Sequence, residues 1–141
     1  MKIIVDTSVL SEFLRKKKKH PQNILLETLI NNDEEIIILG IIFQEILSGI
    51  SNHGLFNEIK NILIDLPSIE PQKEDYIKAA LLRNKLLRKG ISVSTVDILI
   101  SAVAINHGCF LMTNDKDFDF IAKNSELEIL TFEKYQRLKK R

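Results

Sequence analysis

Five carboxylates in the 141-residue sequence fall where chemistry could be built: Asp6, Glu45, Asp97, Asp115 and Asp117. Asp6 ends the apolar run Lys2-Ile-Ile-Val5, and Asp115 and Asp117 follow a second run, Cys109-Phe-Leu-Met112. In an open parallel sheet ligands collect outside the carboxyl ends of the strands, so acids placed there face the usual binding crevice. A strand-end acid can equally be a helix cap or a turn residue, and each position alone reads both ways. Asp97 is less ordinary. It shares a helical face with Ile100, Ser101 and Ala104, in a segment apolar nearly all round and therefore expected to be buried. An ionised carboxylate there must be paired, satisfied by backbone N–H groups of its own first turn, or bound to a cation. Ser94-Thr-Val-Asp97 offers the local solution, a capping box with Asp in the usual Glu/Gln place. Glu45 comes four residues after Ile41 and three after Ile42, so it too interrupts an apolar face, with a buried ion pair as the competing reading.

Partly buried carboxylates from distant parts of a chain repel one another if they converge. A hard divalent cation offsets that repulsion, because Mg2+ and Mn2+ take oxygen ligands, retain water and hold substrate phosphates. The chemistry that follows is metal-dependent hydrolysis of nucleic-acid phosphodiesters. Competing chemistries lack their parts. His20, His53 and His107 lie in charged or turn contexts, and no serine has a Gly-x-Ser-x-Gly setting. There is no Walker A or Gly-x-Gly-x-x-Gly loop. The single cysteine, Cys109, excludes an internal disulfide and a cysteine-based zinc site.

The elements that must position these acids alternate between strand and helix. Short apolar strands are predicted at 2–5, 35–39, 109–112 and 128–130. Thr7 and Ser8 can cap the helix after the first strand, and Pro21 suits the first turn of the next. That helix has Ile24, Leu25, Thr28 and Leu29 on its apolar side. Further helices fit 41–47, 53–65 (broken by Pro67), 73–89 and 95 to about 107. In the longest of these, Tyr76, Ile77, Ala80, Leu81 and Leu87 form the apolar side and Gly90 takes the C′ position. Residues 113–118 read as an acidic loop. The alternation predicts one α/β domain spanning 1–141, with a central, mainly parallel sheet.

The formal net charge of +1 conceals a partition. Residues 15–19 and 134–141 hold half of the 20 basic side chains, leaving 10 against 19 acids in the rest. Such runs are usually solvated surface, but they are also candidate phosphate contacts flanking an acidic pocket. No window approaches a membrane span, and an acid at position 6 comes too early for a signal peptide, so the cytoplasm is the expected compartment.

Taken in order, these residues resemble the PIN-domain family, and within it the VapC-type toxins of prokaryotic toxin–antitoxin pairs. Val5-Asp-Thr-Ser-Val-Leu10 is similar to the N-terminal motif, Glu45 in Phe43-Gln-Glu-Ile-Leu47 to the second acid, and Asp97 in Ser94–Ala102 to the third. Arg83 and Gly90 resemble the arginine and glycine that precede that third acid, and Leu111–Phe118 resembles the fourth-acid loop. The resemblance implies a three-layer α/β/α PIN-like fold, Mg2+ or Mn2+ dependence, endoribonuclease activity on RNA, homodimerisation and neutralisation by an antitoxin. It assigns the metal to Asp6, Asp97 and Asp115, leaves Asp117 as the alternative in the fourth loop, and keeps Glu45 in the catalytic set. Thr7 and Thr113 are expected to hold the carboxylates in place. Lys16, Lys17, Lys18, Arg83, Lys139 and Lys140 are the candidate RNA contacts. The alternatives are a PIN-like RNA- or protein-binding module that has lost catalysis, and a housekeeping PIN nuclease. The first commonly lacks one or more of the acids, all of which stand here.

Overall fold

Ile3, Ile4 and Val5 are fully buried, and a strand buried on both faces must lie inside a sheet covered on both sides. The computed structural model, which describes residues 1–15 and 21–140, places it there. The four strands run β3(Ser68–Ile69), β2(Glu35–Leu39), β1(Lys2–Val5), β4(Phe110–Met112), all parallel. The register pairs Ile4 with Ile37 on one side and with Leu111 on the other. Eight helices complete the described residues: α1(Thr7–Leu14), α2(Pro21–Asn31), α3(Gly40–Ser48), α4(His53–Leu63), α5(Lys73–Arg88), α6(Thr95–Asn106), α7(Asp117–Lys123) and α8(Phe132–Lys139). The α/β fold with a parallel central sheet is as expected, and β2 matches its predicted bounds.

Several local readings are corrected. The expected strand at 128–130 shrinks to one parallel bridge between Leu111 and Ile129, although Leu130 N–H still donates to the Leu111 carbonyl. β3 follows Pro67 and has two residues, too few to leave a periodic signal. The acidic loop ends in α7, and the basic C-terminal segment forms α8, opened by Thr131 Oγ1 accepting from Lys134 N–H. Neither Thr7 nor Ser8 caps α1. Asp6 occupies the N-cap position, and its side chain makes no cap bond because it is engaged elsewhere.

The largest correction is the rotation of α5. Asp75, Ala79, Leu82 and Leu86 face inward, while Tyr76, Ile77, Leu81 and Leu87 are exposed. Both stripes have helical spacing, so periodicity could not choose between them. A polar side chain sides with the inner stripe: Asp75 is buried and accepts from Asn106 Nδ2 (3.0 Å) and pairs with His107 Nε2 (3.1 Å) at the end of α6. It also accepts from Gln72 N–H (2.8 Å), closing the first turn of α5. These bonds outweigh its burial and hold its carboxyl below the usual range. In α2 the same ambiguity puts Ile24 outside and Leu26 inside. Gly90 sits at φ +76°, as its C′ place predicts, because L side chains rarely adopt that region.

Candidate metal centre

Each carboxylate is delivered by an element whose packing leaves it little choice. The buried strand β1 delivers Asp6, itself only 7% exposed, at the carboxyl edge of the sheet. Its Oδ2 accepts from Ser8 Oγ and from Thr113 Oγ1, both at 2.9 Å. Thr113 follows β4, the neighbouring strand, so two strand ends are tied through one carboxylate oxygen. Among the described residues Asp6 Oδ1 accepts no hydrogen bond, so its lone pairs are the ones left for a metal ion.

The loop after β4 is held by the same hydroxyls. Ser8 Oγ accepts from Asn114 N–H (3.0 Å), Thr113 Oγ1 accepts from Asp115 N–H (3.0 Å), and Asp115 Oδ1 accepts from Asp117 N–H (2.9 Å). Directly behind, Phe118 is fully buried and anchors the start of α7. Truncating such an aromatic costs about 3–5 kcal/mol, so Phe118→Ala would free the loop that carries two of the acids.

Asp97 reaches the site from the first turn of α6, whose inner side chains Ile98, Ile100 and Ala102 are buried. Ser94 Oγ accepts from Asp97 N–H (3.1 Å), so half of the expected capping box forms, and Ser101 Oγ donates to the Asp97 carbonyl (2.8 Å). The Asp97 carboxylate is not consumed by capping. Its ligand atom and those of Asp115 and Asp117 lie within 4.8 Å of one another. Burial pushes the Asp97 carboxyl up to about 6; contact with Ser94 opposes this, and the charges of Asp115, Asp6 and Asp117 add to it. Burial is the larger cause, and like charge without a balancing cation adds to it.

Glu45 lies on α3, and the ion pair that was its competing reading is not formed among the described residues. The residue is exposed, not set into an apolar face, although Ile42 and Ile46 beside it are buried. Partial burial of its carboxyl still raises its pKa, the charge of Asp6 adds to this, and the Thr7 hydroxyl lowers it. Thr7 Oγ1 is buried yet has no well-formed hydrogen bond, an orphaned oxygen beside the acids.

The predicted basic contacts do not gather here. Lys16, Lys17 and Lys18 fall outside the described residues. Lys139 lies at the other end of the sheet, with Nζ 2.7 Å from Glu34, which precedes β2. A buried acid there needed a cation, and α8 supplies it. Arg83 is exposed on α5, and Lys140 is the C-cap of α8. Reading the sequence also missed Ser8 and Asn114 as parts of the site. The signal available is the hydroxyl pair directly after Asp6, a pair that suits helix capping equally well.

The strand-end Asp6, gripped by two hydroxyls, is not one of the three acids that lie within 4.8 Å of one another, although its charge reaches Asp97. Residues 3–124 match the model of the PIN domain family. The chain belongs to the PIN domain family. Similarity to characterised PIN proteins extends over nearly the whole length. The VapC ribonuclease Mb1587 of Mycobacterium bovis is 30% identical over 132 residues, covering 92% of this chain and 98% of the relative. Ribonuclease VapC11 of Mycobacterium tuberculosis matches to the same degree. Among solved structures, VapBC2 from Rickettsia felis, bound to a DNA fragment from its promoter, superposes with a TM-score of 0.76 at 22% identity, covering 92% of this chain and 98% of that one. DNA-bound VapBC from Salmonella typhimurium gives 0.76 at 20% identity, covering 92% and 97%. These solved structures share the fold of this chain.

Proposed function

We propose that this PIN protein is a metal-dependent endoribonuclease that hydrolyses RNA phosphodiester bonds as the toxin of a toxin–antitoxin pair. The observation that carries this reading is the convergence of Asp97, Asp115 and Asp117 within 4.8 Å with no cation side chain among them. The named relatives, VapC ribonucleases similar along their whole length, support the same reaction class.

The donor set fits a hard divalent ion. Every converging side chain offers carboxylate oxygen, and no nitrogen or sulfur ligand belongs to the cluster. Asp6, Asp97 and Asp115 are the residues we assign to hold Mg2+ or Mn2+, with Asp117 completing the pocket. Such an ion supplies Lewis-acid polarisation of the phosphate and activation of water. The chain's own part is preorganisation. Ser8 and Thr113 fix the carboxylate of Asp6, Thr113 and Asp115 fix the loop, and Glu45, its carboxyl raised by partial burial and by Asp6, is the acceptor we assign for the proton of the attacking water. Retention of every acid disfavours a module that has lost catalysis.

Two partners follow. A VapB-like antitoxin is supported by the neighbours solved as VapBC complexes, and by an apolar groove of about 480 Å3 lined by Leu14, Ile46, Ile50, Leu55 and Ile59. A homodimer is supported by the exposed stripe Tyr76, Ile77, Leu81 and Leu87 on α5, which carries Glu74 at its start and Lys85 and Arg88 at its end. An antiparallel pair of such helices sets each acid end against a basic end. The test of the activity is cleavage of RNA by the purified protein with Mg2+ or Mn2+. Cleavage that stops in EDTA and in Asp6→Asn or Asp97→Asn is expected; equal cleavage in any of these defeats the reading.

A further inference from the structure

Next to Asp115, a cleft of about 550 Å3 that Asp97 does not line opens between the start of α2, the β4 loop and the start of α8. Its volume lies in the range of small-ligand sites, and it shares Asp115 with the acid cluster, so whatever fills it lies next to the reacting phosphate.

The wall is rich in acceptors. Gln22 Nε2 donates to the Thr113 carbonyl (3.4 Å) and Asn114 Nδ2 to Glu12 Oε2 (3.3 Å). One N–H of each amide is thereby committed, and each side chain keeps its acceptor oxygen and one further N–H. Asp119 and Glu133 also line the cleft, and among the described residues neither carboxylate has a hydrogen-bond or ion-pair partner. The floor is apolar, formed by Ile129 and Phe132. Lys116 is the one cation in the lining. Acids in this number repel a phosphate. A flat group with apolar faces and a donating edge suits the cleft instead, and single-stranded RNA offers such groups as splayed bases that stack on aromatic side chains.

We propose that this cleft receives a nucleobase bearing an exocyclic amine, from the nucleotide beside the phosphodiester that is cleaved, with Asp119 and Glu133 accepting from the amine edge. Cytosine, adenine and guanine carry that amine. Uracil presents carbonyl oxygens in its place, and these would face acceptors. The proposal rests on the nuclease reading for its placement, although recognition of the base is separable from cleavage.

Uncharged nucleosides make the test independent of the metal site. The wild-type protein, free of divalent ions, is titrated by NMR with two matched pairs, cytidine against uridine and guanosine against inosine, which differ in the amine. The amine-bearing member of at least one pair is expected to bind about fivefold more tightly, the low end of base discrimination by hydrogen bonds. The shifts should centre on the side-chain amides of Gln22 and Asn114. Asp119→Asn combined with Glu133→Gln should remove the preference while leaving the folded spectrum and the Mn2+-induced rise in Tm unchanged. Equal binding within both pairs, or a preference that survives the double variant, overturns the proposal. A protein that cleaves RNA but shows no preference loses only this cleft; one that shows the preference but cleaves no RNA with Mg2+ or Mn2+ loses the nuclease reading.

Discussion

The two ends of the sheet treat carboxylates in opposite ways. At the amino end Glu34, its side chain 6% exposed, meets the Met1 amino group at 2.9 Å, Lys139 Nζ at 2.7 Å and the Tyr135 hydroxyl at 2.9 Å. Burial alone would raise its pKa, but Lys139, the amine and Tyr135 outweigh it and bring it to about 2. At the carboxyl end Asp97 is also partly buried, and its neighbours are Asp115, Asp6 and Asp117, so it stands at about 6. Burial pushes both groups the same way; the sign of the nearby charge decides the outcome. A buried acid that has found its cations in the chain is part of the fold. One surrounded by other acids has its partner still to come from solution, which is the signature expected of a metal site.

The comparison can be broken most directly at Asp97. Asp97→Asn should lower RNA cleavage by more than about 100-fold, since even residues that merely orient metal ligands cost about 10–100-fold. In the same variant the metal-free protein should melt no lower than wild type, because a repulsive charge is gone. Loss of both activity and thermal stability would make Asp97 structural, like Glu34.

At the amino end, Glu34→Ala removes the acceptor shared by the Met1 amine, Lys139 and the Tyr135 hydroxyl and should lower the midpoint of urea denaturation, more than Lys139→Ala does because Lys139 is half exposed. Cleavage at temperatures well below the transition should be unchanged. A matching loss of specific activity would connect the two ends and undo the distinction between them.

Thr113→Val sharpens the contrast at intermediate size. It removes the donor to Asp6 and the acceptor for Asp115 N–H, and should weaken Mn2+ binding about tenfold by calorimetry. Wild-type affinity in this variant would mean that Asp6 needs no such grip.

The smallest effects lie in the pH dependence of metal-free stability, where the two acids act in opposite senses. Glu34 is depressed from 4.5 to about 2, so its contribution is complete above about pH 4.5 and is lost as pH falls toward 2. Asp97 is raised from 3.8 to about 6, so its unfavourable contribution is absent below about pH 3.8 and grows as pH rises to 6. Thermal melts of Asp97→Asn should therefore lack the decline between pH 4 and 6 while keeping the acid limb, and Glu34→Gln should do the reverse. Identical profiles for the two variants would contradict the opposite shifts.

The site was legible in the sequence where a strand or a buried helix delivered the residue. β1 ends in Asp6, the apolar helix α6 carries Asp97, and the β4 loop carries Asp115 and Asp117; all followed from apolar runs that can only be buried. Glu45 was legible as an odd acid but not in its surroundings, because its exposure depends on which flank of α3 the sheet covers. The basic residues misled. Lys139 reads as part of a positive run, yet what matters to it is a glutamate 105 positions earlier, which no local pattern connects to it. The grip of Thr113 on Asp6 was expected from the resemblance, whereas the part of Ser8 was non-local, since its hydroxyl meets the Asn114 N–H from β4's end.

The sequence by itself determined the parallel sheet and which acids stand at its carboxyl edge, because burial on both faces leaves continuous apolar runs and the residue after each run has one direction to go. Only the tertiary structure decided which carboxylates would be neutralised from within. That depends on distances between side chains far apart in the chain: α8 brings Lys139 to Glu34, the turn of α5 brings Asp75 to Asn106 and His107, and nothing in the described chain brings a cation to Asp97.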